Sequence, residues 1–298
     1  MFKKTQSIQQ LIKEIIHQLL SIHADIHHAQ IVAWWMLEAI TKKNKLALLV
    51  NAEITLTPDQ QKLLALWIKK HVNEHYPLQY LLGSIAFAGL TIIVEPPTLI
   101  PRPETEEWVM SLIQKLQTVG DVPLTILDMC TGSGCIGLAL AKALPQSHVY
   151  AVDIADSALV LAQKNAQNNQ IFNITFLKSD LFTQLPSGIN FDLIISNPPY
   201  IDQAEWESLE PVVTRWEDKQ ALVADDNGLD LLKKIINQAP NYLNLKSILM
   251  SYKIPNLTVE IGHQQGVMVK NIFMVACYKN VTICKDSNGV DRTVSGYL

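Results

Sequence analysis

A chain of 298 residues, 48% of them apolar and 17% charged, can bury a substantial core and is long enough for one large domain with a smaller companion. Its net charge of -4 supplies no broad electrostatic footprint for a nucleic-acid backbone, and no stretch is apolar for long enough to cross a bilayer as a helix. The cysteines, Cys130, Cys135, Cys277 and Cys284, have neither Cys-x-x-Cys spacing nor histidines at ligand spacing, so no metal site and no disulfide framework is expected, and a reducing, cytoplasmic setting is.

Lys3 and Lys4 open the chain, but Gln6, Ser7, Gln9 and Gln10 interrupt what would be the apolar core of a signal peptide. Ile8, Leu11, Ile12, Ile15, Leu19 and Ile22 recur at helical spacing and predict an amphipathic helix. Residues 29–40 are rich in helix formers. Thr57-Pro58-Asp59-Gln60 is a helix start, with Thr57 as N-cap, Pro58 at the first helical position and Gln60 closing a capping box. Residues 1–75 therefore read as an all-helical module, and 76–97 as a β-hairpin or extended linker.

Pro101-Arg102-Pro103-Glu104-Thr105-Glu106 then holds the backbone extended and leads into a helix whose first turn is crowded with acids, an arrangement that the helix dipole alone would favour. From Pro123 onward strands and helices alternate. Strands are expected over 125–128, 149–152, 174–177, 191–195 and 257–260, with a closing hairpin over 281–296. This pattern implies a mostly parallel sheet with helices on both faces and one antiparallel strand.

Two stretches carry chemistry. Gly132-Ser133-Gly134-Cys135-Ile136-Gly137 is a GxGxxG run that follows a strand and opens a helix, with Asp153 at the end of the next strand. The glycines let the backbone approach a ligand and Asp153 can accept both hydroxyls of a ribose. S-adenosylmethionine and NAD both suit this geometry. Asp128 favours the former, since a carboxylate before the loop suits an amino-acid ammonium and repels a pyrophosphate. Asp180 and Leu181, at the end of the third strand, suit an adenine amino group and its ring.

The second stretch is Asn197-Pro198-Pro199-Tyr200, delivered by a short apolar strand to the sheet edge where such folds bind ligands. The Asn197 side-chain oxygen and the Pro198 carbonyl are acceptors on a rigid backbone, able to hold both hydrogens of a planar –NH2 group. Tyr200 offers a flat wall. The alternative is a Pro-Pro turn in which Asn satisfies its own backbone.

Together these motifs resemble those of the release-factor glutamine methyltransferases, the PrmC/HemK family. The likeness includes Pro77-Leu78-Gln79-Tyr80, the Pro-Arg-Pro-Glu-Thr-Glu segment, the glycine loop from Asp128 through Cys130, Thr131, Gly132, Ser133 and Gly134, the Asn-Pro-Pro-Tyr motif, Asn227-Gly228-Leu229-Asp230 and Asp291-Arg292. The resemblance implies a Rossmann-like class I methyltransferase fold (α/β, seven strands, a terminal antiparallel strand) over 98–298, with residues 1–75 helping to dock the substrate.

The implied reaction is methyl transfer from S-adenosyl-L-methionine to the side-chain nitrogen of the glutamine in the Gly-Gly-Gln loop of class I bacterial peptide chain release factors. A monomer suffices, with no membrane and no nucleic acid required. Arg102 and Glu104 are implied near the substrate. Exocyclic-amine methylation of adenine or guanine in nucleic acid, and NAD-dependent oxidoreduction, are the competing readings. Three departures from the family pattern stand out: Cys130 in place of a loop glycine, Asp218 where a proline is usual, and an atypical segment over 244–257.

Overall fold

The computed structural model describes residues 5–51 and 53–298, so Lys3 and Lys4 lie outside the described residues. The chain divides into two units, one running to Gly83 and taking in Glu210–Trp216, the other made of Ser84–Leu209 and Glu217–Leu298. Among the described residues no helix is long and apolar enough to cross a membrane.

In the first unit the helical spacing produces α1 (Ile8–Leu19), whose Ile8, Leu11, Ile12, Ile15 and Leu19 are all buried. It is followed by α2 (Ile26–Thr41), α3 (Lys45–Leu49) and α4 (Pro58–Glu74). Their apolar faces meet in a core that includes Leu11, Ile15, Met36, Leu37, Leu64 and Ile68. The capping box forms as read: Gln60 N donates to Thr57 Oγ1 at 3.2 Å and Thr57 N to Gln60 Oε1 at 2.9 Å. Because the box satisfies backbone groups that the helix leaves open, Thr57→Ala is expected to destabilise this unit by about 1 kcal/mol. Thermal unfolding of the variant checks this.

Two features of this unit depart from the sequence reading. β1 (Thr5–Ser7) and β2 (Glu53–Thr55) pair antiparallel, so the unit is not purely helical; three-residue strands carry no readable period. Residues expected to be extended form α5 (Leu78–Leu82), ended by Gly83 at φ 79. Burial of Leu78 in the helical core decides that conformation, which a five-residue stretch cannot announce by periodicity. Trp216 also belongs here, its Nε1 donating to the Glu74 carbonyl at 3.0 Å and its ring meeting Tyr76 edge-on.

The second unit begins with a hairpin of β3 (Ser84–Phe87) and β4 (Leu90–Ile93), then α6 (Pro103–Gln117). Next come β5 (Thr125–Met129), α7 (Cys135–Ala143), β6 (His148–Asp153), α8 (Asp156–Asn168), β7 (Ile174–Lys178) and β8 (Leu193–Ser196). The short helices α9 (Gln203–Ser208) and α10 (Pro211–Thr214) follow, α10 lying in the first unit, and then the one-turn segment α11 (Asp225–Gly228), whose Asp226, Asn227 and Gly228 take left-handed φ values. The chain ends with α12 (Asp230–Gln238), β9 (Leu257–Glu260), α13 (Gly266–Val275), β10 (Lys279–Lys285) and β11 (Asp291–Tyr297).

The seven strands are ordered β10-β11-β9-β8-β5-β6-β7, and β11 alone opposes the rest, pairing antiparallel with both β9 and β10. After β7 the chain returns to the other side of β5 to lay down β8. The order of strands thus reverses between β5 and β8, and a crevice opens at their C-terminal ends. All four residues of β8 and of β9 are buried, as central strands covered on both faces must be, the polar Ser196, Thr258 and Glu260 included. The atypical 244–257 segment contains a 3-10 turn at Ile248–Met250 and anchors itself by burying Leu249 and Ile254.

Candidate active site

The glycine loop leaves β5 at Asp128, a fully buried carboxylate. Its Oδ2 accepts from Thr131 Oγ1 at 2.6 Å and from Gly137 N at 2.8 Å. Gly137 is required for this approach, since a Cβ there would lie 2.7 Å from Asp128 Oδ2. Oδ1 is buried with no partner among the described residues, and burial pushes the carboxyl up to about 7 against the two bonds. Asp128 therefore shapes the loop from behind and keeps one acceptor atom in reserve.

Above it, Gly132 takes φ 54, and an added Cβ would meet nothing within 4 Å: the space over the loop is open. Gly134, at φ 82, packs against α8, where a Cβ would come 3.0 Å from that of Ala162. Thr131 and Ser133 are buried in the body of the loop. Cys130 holds a left-handed φ of 60, which costs a non-glycine residue about 1 kcal/mol, and it is among the residues that line the open space. Burial pushes that thiol up, so it stays neutral.

Asp153 closes β6, with Oδ2 accepting from Gly132 N at 2.9 Å and Oδ1 from Ala155 N at 3.0 Å. Each oxygen keeps a lone pair for a further donor. Burial raises its carboxyl, and the backbone N–H groups oppose that rise. Asp180 is exposed after β7, beside the buried Leu181.

Asn197 to Tyr200 leave β8 at the strand-order reversal. Pro198 and Pro199 are buried; Tyr200 N and Ile201 N both donate to the Leu222 carbonyl, and Gln265 Nε2 donates to the Tyr200 carbonyl at 2.9 Å. Asn197 Nδ2 lies 3.4 Å from Thr105 Oγ1, which leaves the amide oxygen as the end available to a guest. The motif's backbone is thus held by groups outside it, and the Asn197 amide reaches Thr105 instead of its own backbone.

Cys130, Gly132, Asp153, Asp180, Leu181, Asn197 and Pro199 converge on one cavity of about 260 Å³. Asp128, Thr131, Ser133, Gly134, Pro198 and Tyr200 adjoin the residues that line it without being part of the lining. Arg102 does not line it: its Nη2 grips both oxygens of the buried Glu217 at 2.8 and 2.7 Å. Glu104 lines a second cavity with Glu107, Lys115 and Arg292. Where the family pattern has a proline, Asp218 gives the loop a backbone anchor. Asp218 N donates to the Pro97 carbonyl at 2.7 Å, a bond that proline cannot make.

Thr105, Gln265, Gly228 and Glu260 bear on the site without having been read as site residues, although Gly228 and Thr105 lie within motifs that carry the family resemblance. Thr105 sits inside a recognised motif, but only three-dimensional contact distinguishes it from its acidic neighbours.

A sheet with β11 inserted antiparallel beside β10, a glycine loop after β5, an acid closing β6 and Asn-Pro-Pro-Tyr after β8 define a class I S-adenosylmethionine-dependent methyltransferase. Residues 109–214 match the family model described as Methyltransferase small domain, and residues 10–83 that described as PrmC N-terminal domain. The chain is 37% identical over 258 residues to the release factor glutamine methyltransferase of Bacillus cereus, covering 86% of this chain and 88% of that one. It is also 37% identical over 289 residues to that of Escherichia coli K12, covering 97% and 98%. Among solved structures it resembles the hMettl16 catalytic domain in complex with a MAT2A 3'UTR hairpin, at 18% identity and TM-score 0.52 over 83% of this chain and 84% of that one, a likeness of fold alone. The chain belongs to the release factor glutamine methyltransferase family.

Proposed function

We propose that this chain methylates the side-chain amide nitrogen of the Gly-Gly-Gln glutamine in class I peptide chain release factors, with S-adenosyl-L-methionine as donor. The observation that carries this reading is Asn197 at the cavity wall, its nitrogen turned to Thr105 and its oxygen left as acceptor. The cavity suits the cofactor chemically: open space over Gly132, the acceptor pair of Asp153, and Asp180 beside the apolar Leu181; behind the loop, Asp128 Oδ1 keeps an unpartnered acceptor for a bridging water.

When bound, the cofactor supplies an electrophilic methyl group on a sulfonium. An amide nitrogen is a weak nucleophile because its lone pair is delocalised into the carbonyl. Asn197 Oδ1 and the Pro198 carbonyl accept its two hydrogens, fix its direction and favour the positive charge that develops on nitrogen, which is discharged when one of those hydrogens leaves as a proton after methyl transfer. Positioning of this kind can lower a barrier by several kcal/mol. Tyr200 flanks the guest amide, and Arg102, through Glu217, holds the loop that carries Asp218 and Gln220 into the cavity wall. Glu104 meets the substrate outside that wall.

The unit up to Gly83 docks the factor. Its exposed Ile31, Trp35, Leu46, Leu49 and Val50 give it apolar surface for that purpose. The protein works in the cytoplasm as a monomer, with no nucleic acid needed.

Asp153→Ala removes a charged acceptor from the ribose and two backbone bonds from the loop, and is expected to weaken S-adenosylmethionine binding by about 10- to 100-fold. Calorimetric titration reads this directly. The function is tested by incubating the protein with methyl-labelled S-adenosylmethionine and a release factor. Label mapped to the Gly-Gly-Gln glutamine is the expected result; label only on nucleic acid would overturn it in favour of the exocyclic-amine reading.

A further inference from the structure

Behind the Asn-Pro-Pro-Tyr motif lies a buried carboxylate that none of the roles above uses. Glu260 ends β9 and is 1% exposed. Its Oε2 accepts from Thr105 Oγ1 at 2.8 Å and Trp108 Nε1 at 2.7 Å, both carried by α6, and Tyr200 OH donates to its Oε1 at 3.2 Å. Glu260 therefore touches the last residue of the motif directly and the first through one intermediate, because Asn197 Nδ2 lies on Thr105 Oγ1.

The direction of these bonds is set by which groups can only donate or only accept. With the Glu260 carboxyl ionised, Oε2 can only accept, and the indole N–H of Trp108 can only donate to it. The Thr105 hydroxyl, facing that oxygen, must spend its single hydrogen on it. Its lone pairs then face Asn197, and only the –NH2 end of the Asn197 amide can meet them. The amide oxygen is thereby committed to the cavity side. Without such a chain the two ends of an asparagine amide, nearly equal in shape, would exchange freely, and in half the orientations a donor would confront the donor –NH2 of the guest.

We infer that Glu260 and Thr105 are positioning residues that set the amide orientation of Asn197, and so make the motif an acceptor of a guest –NH2 group. This inference rests on the reading of Asn197 given above. It also explains why the acid-rich Pro-Arg-Pro-Glu-Thr-Glu helix and the end of β9, remote in sequence, meet at this point.

The test compares Thr105→Val, which keeps the shape and removes the hydroxyl, with Thr105→Ser, which keeps the hydroxyl. Turnover of the full-length protein on a release factor is expected to fall by about tenfold or more in Thr105→Val, the effect of losing one orienting hydrogen bond. The KM for the factor and the affinity for S-adenosylmethionine should stay near those of the parent, because Thr105 is buried and does not line the cavity. Thr105→Ser should restore most of kcat. In Thr105→Val/Asn197→Ala the loss should equal that of Asn197→Ala alone. Thr105→Ala, which removes the hydroxyl without adding bulk, is the second variant and must show the same split.

Parent-like kcat in Thr105→Val or Thr105→Ala, or losses that multiply in the double variant, would overturn the inference. If Asn197→Ala itself turns over normally, the reading of the motif has failed instead. If Asn197→Ala collapses while the Thr105 variants are normal, only the positioning chain has failed.

Discussion

Asn197→Ala is expected to reduce methyl transfer by about 100- to 1,000-fold, the loss seen when a preorganised hydrogen-bonding group is removed from a developing charge. The side chain contributes one acceptor, and in its place alanine leaves the guest nitrogen free to rotate and delocalise. Cofactor binding should remain largely intact, since Asp153, Gly132, Asp180 and Leu181 line the same cavity from other strands. Single-turnover rates at saturating S-adenosylmethionine separate the two effects. Turnover near that of the parent would count decisively against the fork.

Gly228→Ala should damage both stability and activity, although Gly228 lies on α11 and outside the cavity wall. Its φ is 77, a value that disfavours any side chain, and an added Cβ would sit 1.9 Å from the Tyr200 carbonyl oxygen and 2.7 Å from Gln265 Nε2. The nearest atom is backbone and cannot rotate aside, so the motif itself must move. Overpacking together with left-handed strain costs about 2–4 kcal/mol. A shift of the Asn197–Tyr200 backbone should lower turnover by about tenfold or more, as small misplacements of reacting groups do. Gly120 provides the control: at φ 83 with nothing within 4 Å of a Cβ, Gly120→Ala should lose only the strain, about 1 kcal/mol, and keep its activity. Thermal unfolding and turnover measured on the same preparations distinguish these outcomes.

The elements most legible in the sequence are those whose signals are local. The capping box at Thr57 and Gln60, the alternation of strands and helices after Pro123, and the delivery of Asn197 by an apolar strand all depend on residues within a few positions of one another. Where the reading went astray, distant burial had the deciding vote. Leu78–Leu82 coils because Leu78 belongs to the helical core, and Thr5–Ser7 is a strand because Glu53–Thr55 lies beside it. Asp218 anchors its loop through the Pro97 carbonyl, more than a hundred positions earlier, a contact that no neighbouring residue announces.

The sequence by itself determined the parallel sheet, the glycine loop and the presence of Asp153 and Asn197 at strand ends, because hydrophobic period and strand-terminal position are encoded in neighbouring residues. Only the tertiary structure decided what those groups face. It placed Glu104 in a separate cavity and Arg102 on Glu217, and it brought Thr105 of α6 and Glu260 of β9 together behind Asn197. Hydrogen-bond direction at a buried site depends on which donors and acceptors surround it, and those partners are selected by packing between elements far apart in the chain.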